Sequence, residues 1–192
     1  MLGRDPAFLR SLRALERFAP LPHAVLIRGE TGTGKELAAR LLHERSGRPG
    51  AFVALNCGAI PEQLAESELF GHVRGSFTGA TRNAEGAFAR AGGGTLFLDE
   101  VGELPRQLQP KLLRALESGR IAAVGGSEVS VDVRVVSATH QDLESMIARS
   151  EFREDLFHRL SILEVELVPL RRRRRDIPLL LEHFAQQAAR DT

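Results

Sequence analysis

Apolar positions along the chain follow two rhythms. Short, nearly continuous runs read as strands: "AVLIRG" from Ala24, "FVALN" from Phe52, "TLFLD" from Thr95, "VRVVSA" from Val133 and "ILEVELV" from Ile162. Between them, "GKELAARLLHERSG" and "PRQLQPKLLRALESG" space apolar residues three and four apart and end at glycine, as amphipathic helices do. The first three runs are apolar almost throughout, which suits strands with helices over both sheet faces. Strands that alternate with helices predict parallel pairing. The expected fold is therefore α/β, a three-layer sandwich around a parallel five-stranded sheet.

The rhythm breaks at "RRRRR", Arg171 to Arg175, after which "DIPLLLEHFAQQAAR" predicts a new helix starting near Asp176. Residues 1–170 read as the α/β core, and 171–192 as a connector and the start of a second, incomplete subdomain. The arginine run lacks the interleaved aromatics of a nucleic-acid surface and reads instead as a solvated connector.

Composition narrows the classes. At 192 residues the chain suits one domain, able to bury about 70% of its unfolded surface. A net charge of +1 advertises neither nucleic acid nor a membrane surface. No apolar run approaches the ~20 residues needed to span a bilayer, and no signal-peptide pattern opens the chain. Cys57 is the single cysteine, so an internal disulfide is impossible and a cytoplasmic setting is expected. Of the 26 Lys and Arg residues only Lys35 and Lys111 are lysines, so the position of each merits attention.

Lys35 sits in "GETGTGKE": Gly29, Glu30, Thr31, Gly32, Thr33, Gly34, Lys35 and Glu36. A strand precedes this stretch and a helix follows, the context that makes a glycine-rich match a phosphate-binding loop. The glycines let backbone amides turn inward onto phosphate oxygens, and the helix N-terminus adds partial positive charge. Lys35 is expected over the β- and γ-phosphates of ATP. Glu36 stands where many such loops place a magnesium-binding Ser or Thr. "GGGTLFLDE", Gly92 to Glu100, then ends a buried strand in two carboxylates. Asp99 is placed to hold Mg2+, directly or through water, and Glu100 to polarise the attacking water. ATP hydrolysis is the leading chemistry.

These segments, with "ELFGHVRGSFTGA" and "FREDLFHRL", resemble the AAA+ ATPase domain of bacterial enhancer-binding proteins, the NtrC-like activators of sigma-54 RNA polymerase. The resemblance covers essentially the whole chain, and the family also carries glutamate at the position of Glu36. It implies a P-loop NTPase core with a helical lid, here cut short after its first helix. It also implies a homo-oligomeric, hexameric ring and sigma-54 RNA polymerase holoenzyme as partner. DNA would be contacted only through a domain outside this chain. "GSFTGA" looks like the family's GAFTGA loop, with Phe77 and Thr78 as sigma-54 contacts and Gly75 and Gly79 as hinges. On composition alone the same stretch reads as a surface hairpin, with Phe77 packed against its own helix.

Other roles carry over by position. Asn56 matches a switch partner that restrains Glu100, though capping the strand end explains it equally well. Thr139 and His140 match the sensor I site that reads the γ-phosphate. Arg153 and Arg159 match the arginine fingers that reach a neighbouring subunit's nucleotide. Six helical residues rotate direction by about 240°, so these two either do distinct jobs or one precedes the helix. Val73, Ser76, Ala89 and Ala123 depart from the family pattern: a charge is lost near the loop base, and some subunit contacts are altered.

Two functions remain open from the sequence. One is an ATP-driven remodeller of the closed sigma-54 polymerase complex. The other is a nucleotide-binding, oligomerising regulatory module that does not remodel polymerase. A P-loop phosphotransferase would leave "FREDLFHRL" unexplained. The chain by itself is expected to bind nucleotide weakly and hydrolyse it poorly.

Overall fold

The computed structural model describes residues 1–190. In chain order the elements are α1 (Pro6–Phe18), β1 (Val25–Arg28), α2 (Lys35–Glu44), β2 (Phe52–Asn56), α3 (Glu62–Phe70), β3 (Gly71–His72), β4 (Ala84–Glu85), α4 (Ala87–Arg90) and β5 (Thr95–Asp99). There follow α5 (Gln109–Ser118), β6 (Arg120–Ala122), β7 (Glu128–Ser130), β8 (Arg134–Thr139), α6 (Leu143–Ala148), α7 (Glu154–Leu160), β9 (Leu163–Glu166) and α8 (Ile177–Arg190). The five apolar runs form one parallel sheet in the order β2-β5-β8-β1-β9.

Alternation within each strand divides the core in two. Val25 and Ile27 of β1, Phe97 of β5 and Val136 and Ala138 of β8 face α1 and α2, meeting Leu15, Ala38, Ala39 and Leu42. Leu26, Leu96, Leu98 and Val135 face the opposite layer, meeting Leu69, Phe88, Leu112, Leu143, Leu156 and Leu160 from α3 to α7. Both faces are thus covered, which is why these strands carry no polar alternation.

One buried charge supports this arrangement. Arg134 opens β8 at 2% exposure and donates to the carbonyls of Phe18, Ala19 and His23 at 2.8, 2.5 and 3.2 Å. It thereby satisfies carbonyls at the end of α1 that have no partner within the helix. Burial pushes its pKa down to about 10, leaving it protonated near neutrality.

Two short hairpins stand outside the sheet. β3 pairs antiparallel with β4, and β6 with β7. They are joined where Val73 N–H donates to Val124 O at 3.1 Å and Val124 N–H to Gly71 O at 2.9 Å. In the connector Arg171, Arg172, Arg174 and Arg175 are exposed as expected, but Arg173 and Asp176 are not. Arg173 is 8% exposed and lies 4.7 Å over the Phe8 ring, and Asp176 is fully buried. Asp176 Oδ1 accepts from the amides of Arg4 and Asp5 at 2.6 and 3.0 Å, so the connector is locked onto the start of α1. Among the described residues no helix is long and apolar enough to cross a membrane.

Candidate nucleotide site

The C-terminal ends of β1, β5 and β8 converge on one edge, where open α/β sheets bind ligands. From β1 the chain enters the glycine-rich loop, with Gly32 and Gly34 at φ 82° and 95°. Thr33, buried, closes the loop by donating its hydroxyl to Glu30 O at 2.7 Å. Thr31 is exposed at its rim. Gly29 is tied to the sheet, its amide donating to Thr139 O at 3.2 Å. Glu30 pairs with Arg171 of the connector, and that hydrogen bond holds its carboxyl below the usual range. Glu36 turns along the helix to Arg40, 2.7 Å away, rather than into the loop.

Lys35 begins α2 at 7% exposure. Its Nζ donates to Gly29 O at 3.1 Å and sits 3.1 Å from Glu100 Oε1. Glu100 adopts a left-handed backbone, φ 51° and ψ 53°, a conformation that costs a non-glycine residue about 1 kcal/mol or more. That turn swings the carboxylate back over the sheet edge. There Oε2 accepts from His140 N–H at 3.2 Å and lies 2.7 Å from His140 Nδ1. Partial burial pushes the Glu100 pKa up, but the His140 and Lys35 hydrogen bonds outweigh it, so the carboxyl lies below its ordinary value.

Asp99 behaves oppositely. Burial and the adjacent Glu100 charge raise its pKa, and its Oδ1 accepts the Glu100 amide at 3.1 Å. A carboxylate oxygen at the mouth of a phosphate loop is the donor type a hard divalent cation takes. Among the described residues no group of three or more His, Cys, Asp or Glu gathers as a metal cage. Asp99 is the residue that would contribute a carboxylate to a magnesium ion carried in with phosphates.

The remaining expected residues lie at varied distances from this centre. Asn56 ends β2 beside Asp99, but its carboxamide oxygen accepts from Gly58 and Ala59 N–H at 2.9 and 3.1 Å. Here it caps the strand end, and Glu100 is held by Lys35 and His140. Thr139 is 1% exposed, with Oγ1 accepting Gln141 N–H at 3.0 Å, so the group that reaches Glu100 is its neighbour His140. Arg153 immediately precedes α7 and pairs with Asp155 at 2.7 Å, whereas Arg159 lies inside α7. Arg159 donates to Leu116 O near the end of α5 at 2.9 and 3.2 Å. Neither arginine meets the Lys35–Glu100 pair in its own chain.

Phe77 is 41% exposed, and its ring meets His72 edge-on at 5.0 Å between centroids, so its support is the hairpin and not a helix. Thr78 is exposed beside it. The loop closes on itself through Gly75 N–H to Ala80 O at 2.8 Å and Ala80 N–H to Phe77 O at 3.0 Å. Val73, where the charge is lost, packs against the Gly125–Gly126 turn of the second hairpin. Sequence reasoning missed Arg171, Arg134 and the buried amide of Gln109. Pro110 immediately after Gln109 was the available sign of a constrained helix start.

Beside the loop a hollow of about 230 Å³ is lined by Leu2, Phe8, Leu37, Leu170, Leu180 and Phe184 with Gly32 to Gly34. Its apolar walls against a phosphate loop suit a flat base attached to phosphates.

A family model described as the sigma-54 interaction domain matches residues 1–166. The chain is 52% identical, over 100% of its own length and 41% of the relative's, to DNA-binding transcriptional regulator NtrC of Salmonella typhimurium. It is 50% identical to transcriptional regulatory protein GlrR of Escherichia coli, over 98% of this chain and 43% of that one. The crystal structure of NtrX from Brucella abortus in complex with ADP superposes with a TM-score of 0.91 at 43% identity, over 98% of this chain and 42% of that one. The P-loop NTPase domain of the sigma-54 transport activator from E. coli, 22% identical with a TM-score of 0.60 over 88% and 99% of the two chains, shares the fold. The chain spans about two fifths of the length of the curated relatives it matches. A P-loop NTPase sandwich matched over residues 1–166, it belongs to the sigma-54 interaction domain family.

Proposed function

We propose that this chain is an ATP-hydrolysing core that remodels the closed complex of sigma-54 RNA polymerase. The observation that carries this reading is the meeting of Lys35 and Glu100, 3.1 Å apart at the mouth of the glycine-rich loop. Triphosphate oxygens entering the loop would compete with Glu100 for the Lys35 ammonium. Glu100, freed from Lys35 and still ionised, would orient and polarise the attacking water. Mg2+, held through Asp99, would neutralise charge developing on the phosphates. Arg153 and Arg159 would serve as fingers for a neighbouring subunit in a hexameric ring. Arg153 is the better placed, because leaving Asp155 breaks only an exposed pair.

Residues 1–170 then form the ATPase core and 171–192 the connector and opening of a lid, the whole acting in the cytoplasm. The pairing of Glu30 with Arg171 supports a connector that senses the loop. With Phe184, which lines the base hollow, more than half exposed, the chain alone is expected to turn over slowly. Phe77 and Thr78 would be the output.

The test is capture of purified sigma-54 by the intact protein with ADP and aluminium fluoride, comparing the native loop with Thr78→Ala and following hydrolysis in parallel. Capture lost in the variant with hydrolysis kept supports the remodelling reading. Hydrolysis without capture by the native loop would place the protein among nucleotide-binding regulatory modules.

A further inference from the structure

Gln109 is fully buried, at the first position of α5. Its Nε2 donates to Leu104 O at 3.2 Å and to Glu151 O at 3.1 Å, and its Oε1 accepts Arg153 N–H at 2.9 Å. Leucine or methionine would fill this site without desolvating an amide, so packing alone gives no reason for a glutamine. The Nε2 end bridges two segments, and the Oε1 end bonds the second of them again. Leu104 closes the short helical turn that starts at Glu100, through Glu103 N–H to Glu100 O at 2.9 Å and Leu104 N–H to Val101 O at 3.1 Å. On the other side lies the bend before α7, where Ser150 takes φ 59° and its carbonyl is held by Arg106 from just ahead of α5. The backbone of Arg153 is therefore fixed through one amide to the segment that follows Glu100.

We infer that Gln109 is a positioning residue that sets where Arg153 projects, and so tunes the nucleotide site of the adjoining subunit rather than its own. This rests on the reading of Arg153 as a finger acting between subunits. The guanidinium of Arg153 is exposed and, among the described residues, anchored to Asp155, so its reach depends on where its backbone is held. A displacement of an ångström at a charge-stabilising group costs about 100-fold in rate.

The experiment measures steady-state hydrolysis by the intact protein carrying Gln109→Met, Arg153→Ala or Glu100→Gln, alone and mixed in pairs. ADP binding and thermal melts confirm folding. Gln109→Met is expected to lower kcat about 100-fold while the KM for ATP stays within about twofold. Mixed with Glu100→Gln subunits, which keep well-placed fingers, it should regain activity that neither variant has alone. A structural defect confined to its own subunit would give no such recovery. Unchanged kcat in Gln109→Met, or a loss that mixing does not restore, overturns the inference. Full activity in Arg153→Ala would instead overturn the finger reading beneath it. If Gln109→Met fails to fold, Gln109→Asn, one methylene shorter, carries the same test.

Discussion

Lys35 is 7% exposed and held by Gly29 and Glu100, whereas Phe77 is 41% exposed and leans on the ring of His72. The two regions are built for opposite demands. The sheet edge fixes charged groups by burial and crossing hydrogen bonds, which spares reorganisation at the moment of reaction. The Phe77 loop is fixed by its own backbone bonds and turns on Gly75 and Gly79, at φ 82° and 102°, where an added Cβ would meet nothing within 4 Å. Open space at those positions is compatible with the hinge role proposed for the two glycines. On the proposed function, chemistry and output would be separated into a rigid half and a compliant half of one domain.

Mutations at the two regions should separate accordingly. Glu100→Gln should reduce hydrolysis about 1,000-fold while leaving ADP binding intact, measured by turnover and calorimetry. Retained turnover would remove Glu100 from the chemistry. Arg134→Met, beneath the rigid half, removes the side-chain donor to the Ala19 and His23 carbonyls and leaves Phe18 O with Leu21 N–H alone. It should cost about 3 kcal/mol in denaturant unfolding and lower Tm by about 9 °C. Gly79→Ala forces a side chain into a left-handed backbone and should cost about 1 kcal/mol, with sigma-54 capture falling more than hydrolysis. Phe77→Ala should change stability by less than about 0.5 kcal/mol and leave turnover alone, yet abolish capture. A large stability loss there would show that Phe77 is core and not output.

The rigid half was the legible half. Five strands and the phosphate loop show in the sequence because burial on both faces demands continuous apolar runs, and the loop demands glycine at fixed places. The helix after Asp176 was also placed, since its apolar spacing is regular. The Phe77 stretch reads as a surface hairpin from composition, but its strands β3 and β4, two residues each, carry no pattern to read, and the β6–β7 hairpin was not legible. Gln109 and Arg134 were missed for another reason. A lone polar residue in an amphipathic helix or beside a strand normally points to water, and only tertiary contacts reveal that these point inward. Within the arginine run Arg173 alone misled in the same way, because it lies over the distant Phe8 ring, which local sequence does not announce. Asn56 and Thr139 show that a residue's position at the strand edge is readable while the direction of its side chain is not.

The strand order also governs how the chain is made. β1, which feeds the phosphate loop, is flanked by β8 and β9, so neither of its edges has a partner until Thr139 and then Glu166 have been synthesised. At typical elongation rates that interval is on the order of ten seconds. Throughout it, "VLIR" is an unpaired apolar edge on the ribosome, open to association with other nascent chains. The nucleotide loop is therefore among the first parts to be written and among the last to be built, and a chain halted before β8 carries every residue of the loop while the strand that feeds it has neither neighbour.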